Sequence, residues 1–180
     1  MARSYRTEGV ILKRINIGEA DRILTIFTKH YGKIRVIAKG VRKLTSRKGG
    51  NVELFNQIIL FVHRGRNLDI LSEVEILNSF KAWRKNLVKV GTAYYFCELI
   101  DKLTADGQAN QAVYKLLVDS LGQIDEEGLS KLVRGFEEQL LDELGFGVPA
   151  KLRAAPGSLK TYIEQITERE ITSPKILKNL

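Results

Sequence analysis

A change of period divides this sequence in two. Up to Leu77 the apolar residues favour β-branched types, with glycines at the breaks. From Asn78 onward they recur every three to four residues. Alternation suits strands, because successive side chains point to opposite faces, and a 3.6-residue repeat lays one apolar stripe along a helix. The chain is therefore expected to form strands first and helices second, a β-barrel domain over 1–78 and an α-helical domain over 79–180 with no flexible linker.

Within the first part, Thr7–Ile15 reads as a strand, followed by a turn at Gly18, Glu19 and Ala20 and a second strand at Arg22–Thr28. Tyr31 and Gly32 make another turn, leading into Lys33–Ala38. There Ile34, Val36 and Ala38 are expected to face inward, with Lys33, Arg35 and Lys39 on the opposite, cationic face. A loop from Gly40 to Gly50 precedes Leu54–His63 and Leu68–Ile76, which are joined through Arg64, Gly65, Arg66 and Asn67. Five strands in about 75 residues, with the longest connection between the third and fourth, fit a small Greek-key barrel of the OB type. An SH3-like barrel fits nearly as well.

In the second part, Val90, Ala93, Tyr94, Cys97 and Ile100 form one stripe. Val113, Leu116, Leu117, Ser120 and Leu121 form a second, and Leu132, Phe136, Leu140 and Leu144 a third. These predict three helices of a bundle. The run Gly145–Pro149 stops the third, after which a short segment at Ser158–Thr167 and a last turn begun by Ser173 and Pro174 close the chain. The fold class is α+β, an N-terminal five-stranded OB-type barrel followed by an α-helical bundle.

Charge follows the same division. Met1–Phe80 carries 15 Lys plus Arg against 7 Asp plus Glu, a balance of +8, whereas Lys81–Leu180 carries 14 of each. A positive surface concentrates polyanions and releases their counterions on contact, which makes nucleic acid the expected partner of the strand-forming half. No apolar run approaches the roughly 18 residues of a membrane span, and the start, Met1–Thr7, is polar and basic. A cytosolic setting is expected. One cysteine, Cys97, allows neither an internal disulfide nor a cysteine-based metal cage.

The densest cationic stretch is Lys39–Lys48, with Lys39, Arg42, Lys43, Arg47 and Lys48, no acid, and Thr45 and Ser46 as hydroxyl donors. Such a loop can track a phosphate chain, and Lys33, Arg35, Arg64 and Arg66 are expected to extend the same surface. Single-strand binders also use aromatic platforms. Of Tyr5, Phe27, Tyr31, Phe55 and Phe61, the phenylalanines read as core, and Tyr31, at a turn between Lys29 and Lys33, is the stacking candidate. In the helical half, Lys131 and Arg134 lie one turn apart among Leu129, Leu132 and Val133, a combination able to dock an acidic peptide with apolar residues.

Catalytic patterns are sparse. His30 and His63 have no evident partners, and no GxxxxGK phosphate loop is present. Glu8, Glu19 and Asp21 could hold a magnesium ion as nuclease carboxylates do, although a turn explains Gly18–Asp21 equally well. Two alternatives to DNA binding stay open: an OB-type RNA-binding accessory factor, and a metal-dependent nuclease.

The segments Glu8–Lys13, Gly18–Asp21, Thr28 with Gly32, and Ala38–Lys43 with Ser46 and Arg47, in that order, resemble the recombination mediator RecO family. So do Gly65–Leu68 with Glu75, Tyr95 with Glu98 and Leu99, and Phe136, Leu140 and Leu141 before Gly145 and Pro149. The resemblance spans nearly the whole chain. It implies a non-enzymatic, cofactor-free DNA repair protein of the bacterial cytoplasm and nucleoid, with an OB-fold joined to a helical domain. It further implies binding of single- and double-stranded DNA, annealing of complementary strands, contact with the acidic C-terminal tail of SSB, and RecA loading together with RecR. The family's basic DNA-contacting segment maps onto Lys39, Arg42, Lys43 and Arg47. One departure is plain. Many members carry a four-cysteine zinc insertion after the positions matched by Gly145 and Pro149, whereas this sequence runs through Lys151, Arg153 and Pro156 directly to its last helices. The resemblance is thus to a member shortened at that point.

Overall fold

A computed structural model describes residues 3–126 and 128–173 and divides the chain into two compact units, Met1–Ser79 with Ala105–Tyr114, and Phe80–Thr104 with Lys115–Leu180. The expected last turn at Ser173 and Pro174 lies largely outside the described residues.

The first unit is a closed barrel of β1 (Ser4–Ile17), β2 (Asp21–Thr28), β3 (Gly32–Ala38), β4 (Gln57–His63) and β5 (Asp69–Asn78) in the order β1-β2-β3-β5-β4. All pairings are antiparallel except β3 with β5, where Val36 sits opposite Asp69 and Ile37 opposite Ile70. That parallel closure is the OB arrangement and settles the choice against an SH3-like barrel. β1 is longer than its sequence pattern suggested because it serves two partners. Ser4–Val10 pairs with β4 and Gly9–Ile17 with β2, with an irregularity between Ile11 and Lys13 where the strand bends. Val10, Ile11, Leu24, Ile26, Val36, Ala38, Ile58, Leu60, Val62 and Leu71 are buried, and a 3-10 turn at Gly49–Val52 adds Val52 to the core.

Inward alternation of Val36 and Ala38 holds in β3, but the outward cationic face needs a correction. Lys33 is only 8% exposed, because Ala105–Tyr114, assigned by sequence to the helical domain, returns to cover the start of this strand. Gly107 N–H donates to the Lys33 carbonyl at 2.9 Å, and Asp106 meets both Lys33 Nζ (3.4 Å) and the Arg35 guanidinium (3.2 Å). Two of the expected phosphate ligands thus already share a carboxylate.

The second unit contains α1 (Leu87–Leu103), most of α2 (Gln111–Gln123), α3 (Leu129–Glu143), α4 (Ala150–Ala154) and α5 (Lys160–Thr167). α1 is buried on nearly all sides. Tyr95, Phe96 and Leu99 lie inside with Ala93, Cys97 and Ile100, while Tyr94, expected in the stripe, is exposed. Phe96 stacks on Phe136 of α3 at 4.1 Å, and Trp83 Nε1 donates to the Leu121 carbonyl at 2.8 Å. Burial raises the Cys97 thiol well above its ordinary pKa, consistent with a core residue.

Two carboxylates tie the end of this unit to its middle. Glu137 is fully buried and accepts hydrogen bonds from the Tyr95 hydroxyl, the Ser158 hydroxyl and Leu159 N–H, which satisfy its carboxylate inside the unit. Glu98 accepts from the backbone and hydroxyls of Thr172 and Ser173 and pairs with Lys102 at 2.6 Å. Burial alone would raise the Glu98 carboxyl, but these donors outweigh it and hold its pKa at about 2.

A carboxyl depressed on folding stabilises the folded state above its unfolded pKa, near 4.5, and the contribution is lost as the pH falls toward 2. Glu98→Gln is therefore expected to lower the thermal midpoint at neutral pH, and the difference from wild type should close as the pH drops through that window. Melting curves at several pH values read this directly, and a difference that stays constant would contradict the assignment.

Candidate nucleic-acid interface

The Lys39–Lys48 loop leaves β3 at one end of the barrel and is fastened to the β1–β2 hairpin. Gly40 N–H donates to Asp21 Oδ1 at 2.7 Å, Arg42 N–H to the Ala20 carbonyl at 2.9 Å, and the Arg42 guanidinium to the Gly18 carbonyl at 3.0 Å. These bonds order the base of the loop. Lys39, Arg42, Lys43 and Arg47 remain exposed around it. Lys48 is half-buried instead, its Nζ donating to the Leu71 and Ser72 carbonyls of β5 at 3.4 and 3.3 Å. It ties the loop down more than it extends the cationic surface.

Arg64 and Arg66 lie exposed in the β4–β5 hairpin, beyond the other end of β3. Arg64 sits over the Tyr5 ring at 5.6 Å, and the Tyr5 and Tyr31 rings approach to 4.4 Å at 42°. Tyr31, the stacking candidate, is thus half-buried against another tyrosine. Burial pushes the Tyr5 phenol up, and its hydrogen bond to Asp69 (2.9 Å) adds to the shift. Phe27 and Phe55 are core residues as expected, with Phe55 in the turn before β4 at φ 70°. Phe61 departs from that expectation. It lies on the outer face, edge-on to His63 at 5.5 Å.

The cations therefore fall into two groups, the loop after β3 and the β4–β5 hairpin. They are joined along β3, which runs from Gly32 beside Tyr31 to Ala38 beside Lys39 and carries Arg35 on its outer face. Sequence reading missed Asp106, the acid on Lys33 and Arg35, and Glu53, which takes the inner-face Arg14 and Arg22. Neither acid is adjacent in sequence to its partners, so no local spacing announces it.

The nuclease carboxylates are not assembled. Glu8 faces Lys29 at 3.6 Å, nine residues along β1 from the hairpin where Asp21 caps Gly40, a separation of about 30 Å in an extended strand. Among the described residues no group of three His, Cys, Asp or Glu side chains could hold a metal ion. The one cysteine, Cys97, is buried in α1. Among the described residues no helix is long and apolar enough to cross a membrane.

In the helical unit, Val88, Leu129, Val133, Arg134 and Arg153 line an open groove of about 500 Å³. Arg134 does not offer a spare cation there. Its guanidinium donates to Glu138 Oε1 (2.7 Å), to the Gly157 carbonyl (2.9 Å) and to the Leu152 carbonyl, holding the segment after α4 against α3. That corrects its reading as a docking residue. Lys131 stands exposed on α3.

The architecture defines the class: an OB-fold protein with an appended helical unit. Residues 1–80 match the family model for the recombination protein O N terminal, and residues 84–160 that for its C terminal. The chain belongs to the RecO family of DNA repair proteins. It is 39% identical over 160 residues to the DNA repair protein RecO of Roseiflexus sp., covering 88% of this chain and 56% of that protein. It is 37% identical over 145 residues to that of Symbiobacterium thermophilum (79% and 57%), and 35% identical over 142 residues to that of Pelotomaculum thermopropionicum (79% and 56%). The chain spans a little over half the length of these relatives.

Proposed function

We propose that this protein binds single- and double-stranded DNA through the Lys39–Lys48 loop, with the Arg64–Arg66 hairpin as a second contact, and pairs complementary strands. The observation that carries this reading is the ordered loop base with Lys39, Arg42, Lys43 and Arg47 exposed around it and no acid in the stretch. Cations placed between two phosphate backbones offset their repulsion, so that strands can approach and zip. The helical unit serves partners. Its groove, edged by Arg153, whose exposed pair with Asp142 (3.0 Å) can exchange for another carboxylate, and near Lys131 on α3, suits the acidic C-terminal tail of SSB, and with RecR the protein assists RecA loading on SSB-coated DNA at the nucleoid. The role is that of a mediator without catalysis.

With about five phosphates neutralised, the logarithm of single-strand affinity is expected to fall with the logarithm of salt at a slope of roughly 3 to 4, at about 0.7 per contact. Titrations across a salt series measure it, and a slope near zero contradicts the electrostatic mechanism. Annealing of SSB-coated complementary strands tests DNA and partner contact together. Acceleration of pairing is expected on bare and coated strands alike, and no acceleration on either would overturn the proposal. Competition between equal-length DNA and RNA strands separates this reading from an RNA-binding one.

A further inference from the structure

One side of this cationic barrel is acidic and apolar. Three of the seven acids in residues 1–80, Glu8, Glu73 and Glu75, come from β1 and β5 and fall on the outer face on either side of β4. The register sets two rows there. Arg6 lies opposite Phe61 and Phe61 opposite Glu73; Glu8 lies opposite Ile59 and Ile59 opposite Glu75. Thr7, Leu60 and Val62, which alternate with these residues, are buried, so the two rows point outward. Ile59 and Phe61 are half-buried and, with Val74 beneath and Arg6, Glu73 and Glu75 at the rim, line a groove of about 220 Å³. Glu8 is paired with Lys29, but Glu73 and Glu75 are exposed and have no ion-pair partner among the described residues. Arg6 is the one cation among the described lining residues.

A ligand complementary to this face is cationic, with an aliphatic side chain between its charges. The chain carries such an element itself. In the Lys39–Lys48 loop, Lys43 N–H donates to the Gly40 carbonyl at 3.1 Å and Ser46 N–H to the Lys43 carbonyl at 2.9 Å. The second of these turns puts Leu44 at its tip, fully exposed, with Arg42, Lys43 and Arg47 exposed around it. A leucine held out by an ordered turn gains nothing from its own fold, and burying it against another apolar surface is favourable. Its full exposure also shows that the loop does not seat in the groove of its own chain.

We propose that the Ile59–Phe61 groove receives the basic loop of a second copy of this chain, Leu44 lying against Ile59 and Phe61 while the loop's cations meet Glu73 and Glu75. Each copy has one loop and one groove, so a reciprocal exchange closes a two-fold dimer with both ends satisfied. Charge complementarity makes the pairing specific and sensitive to salt. The interface stands apart from the proposed DNA contact, but one consequence rests on that reading: the loop cannot serve both, so DNA and the second copy compete for it.

Sedimentation velocity over a range of protein and salt concentrations tests the pairing. Wild type should form a concentration-dependent dimer at low salt that dissociates as salt rises. Glu73→Lys with Glu75→Lys sets like charges against the loop and should weaken the dimer by about a hundredfold or more, as should Lys43→Glu with Arg47→Glu. Leu44→Ser should weaken it about tenfold. All five positions are exposed, and a mixture supplies the check on folding: the lysine-substituted and glutamate-substituted proteins, each monomeric alone, should pair with one another, because both exchanged contacts then regain opposite charges.

A wild type that stays monomeric at every salt and protein concentration, a dimer that survives either charge reversal, or a mixture that fails to pair overturns the proposal. Monomeric wild type that binds a lysine- and leucine-containing peptide, with binding lost in Glu73→Lys and Glu75→Lys, gives the groove to a basic segment of another protein and overturns self-association. Adding oligothymidylate should convert dimer to a monomer with DNA bound. A dimer that binds DNA without dissociating overturns the competition alone, and absence of DNA binding by dimer and monomer overturns the DNA reading while the pairing stands.

Discussion

Reversing Arg42 and Lys43 to glutamate should weaken DNA binding on the order of a hundredfold without unfolding the protein. Two phosphate contacts are lost and two repulsions are gained. At somewhat under 1 kcal/mol each these sum to about 3 kcal/mol, or two decades in affinity. The salt slope should fall by about 1.4, two contacts at roughly 0.7 each. Stability should hardly change, because both side chains are exposed and the loop's base is fixed by backbone and Asp21 bonds that the substitutions leave in place. The bond from the Arg42 guanidinium to the Gly18 carbonyl is a surface contact and its loss is minor. Filter binding at two salt concentrations, with circular dichroism melts, separates the two effects. Wild-type affinity in the reversed protein would move the site off this loop.

The second large effect is expected in the barrel's packing. Gly32 has φ +65°, and a Cβ built there would lie 2.1 Å from the Gln108 carbonyl oxygen. Gly32→Ala therefore adds a left-handed strain of about 1 kcal/mol and pushes the Ala105–Tyr114 segment off β3. The bond from Gly107 to Lys33 and the Asp106 pairs go with it, for a total of roughly 3 kcal/mol. A fall in the melting midpoint of roughly 6 to 12 °C follows for a chain of this size. Gly18 is the control. It has φ +54° but open space around it, so Gly18→Ala should lose only about 1 kcal/mol. Equal losses at the two positions would show that the segment does not clasp β3 as described.

Gly32→Ala also bears on the cationic surface. Displacing Asp106 would expose Lys33 and release Arg35, so a variant that is less stable yet binds DNA more tightly is the combined expectation. The clasp is thus a point where packing and charge trade against one another.

What could be read from sequence followed the range of the interactions. Strand positions were legible because alternation and glycine breaks are local, and the basic loop was legible because its cations are consecutive. The length of β1 was not, since a strand that bends to serve β4 and then β2 leaves no mark in its alternation. α1 misled for a related reason: a helix enclosed on most sides has no single stripe, so Tyr94 read as buried and Tyr95 was passed over in that pattern. The state of Lys33 depends on Asp106, 73 positions away, and Arg134 on carbonyls in a segment with no recognisable motif.

A photocrosslinker placed on the basic loop tests the proposed DNA contact most directly. A benzophenone attached at Thr45, exposed in the Lys39–Lys48 loop, should crosslink efficiently to single-stranded DNA, while the same group at exposed Gln139 of α3 should crosslink weakly. Equal yields at the two positions, or a higher yield at Gln139, would contradict the placement of the DNA on the barrel's basic loop.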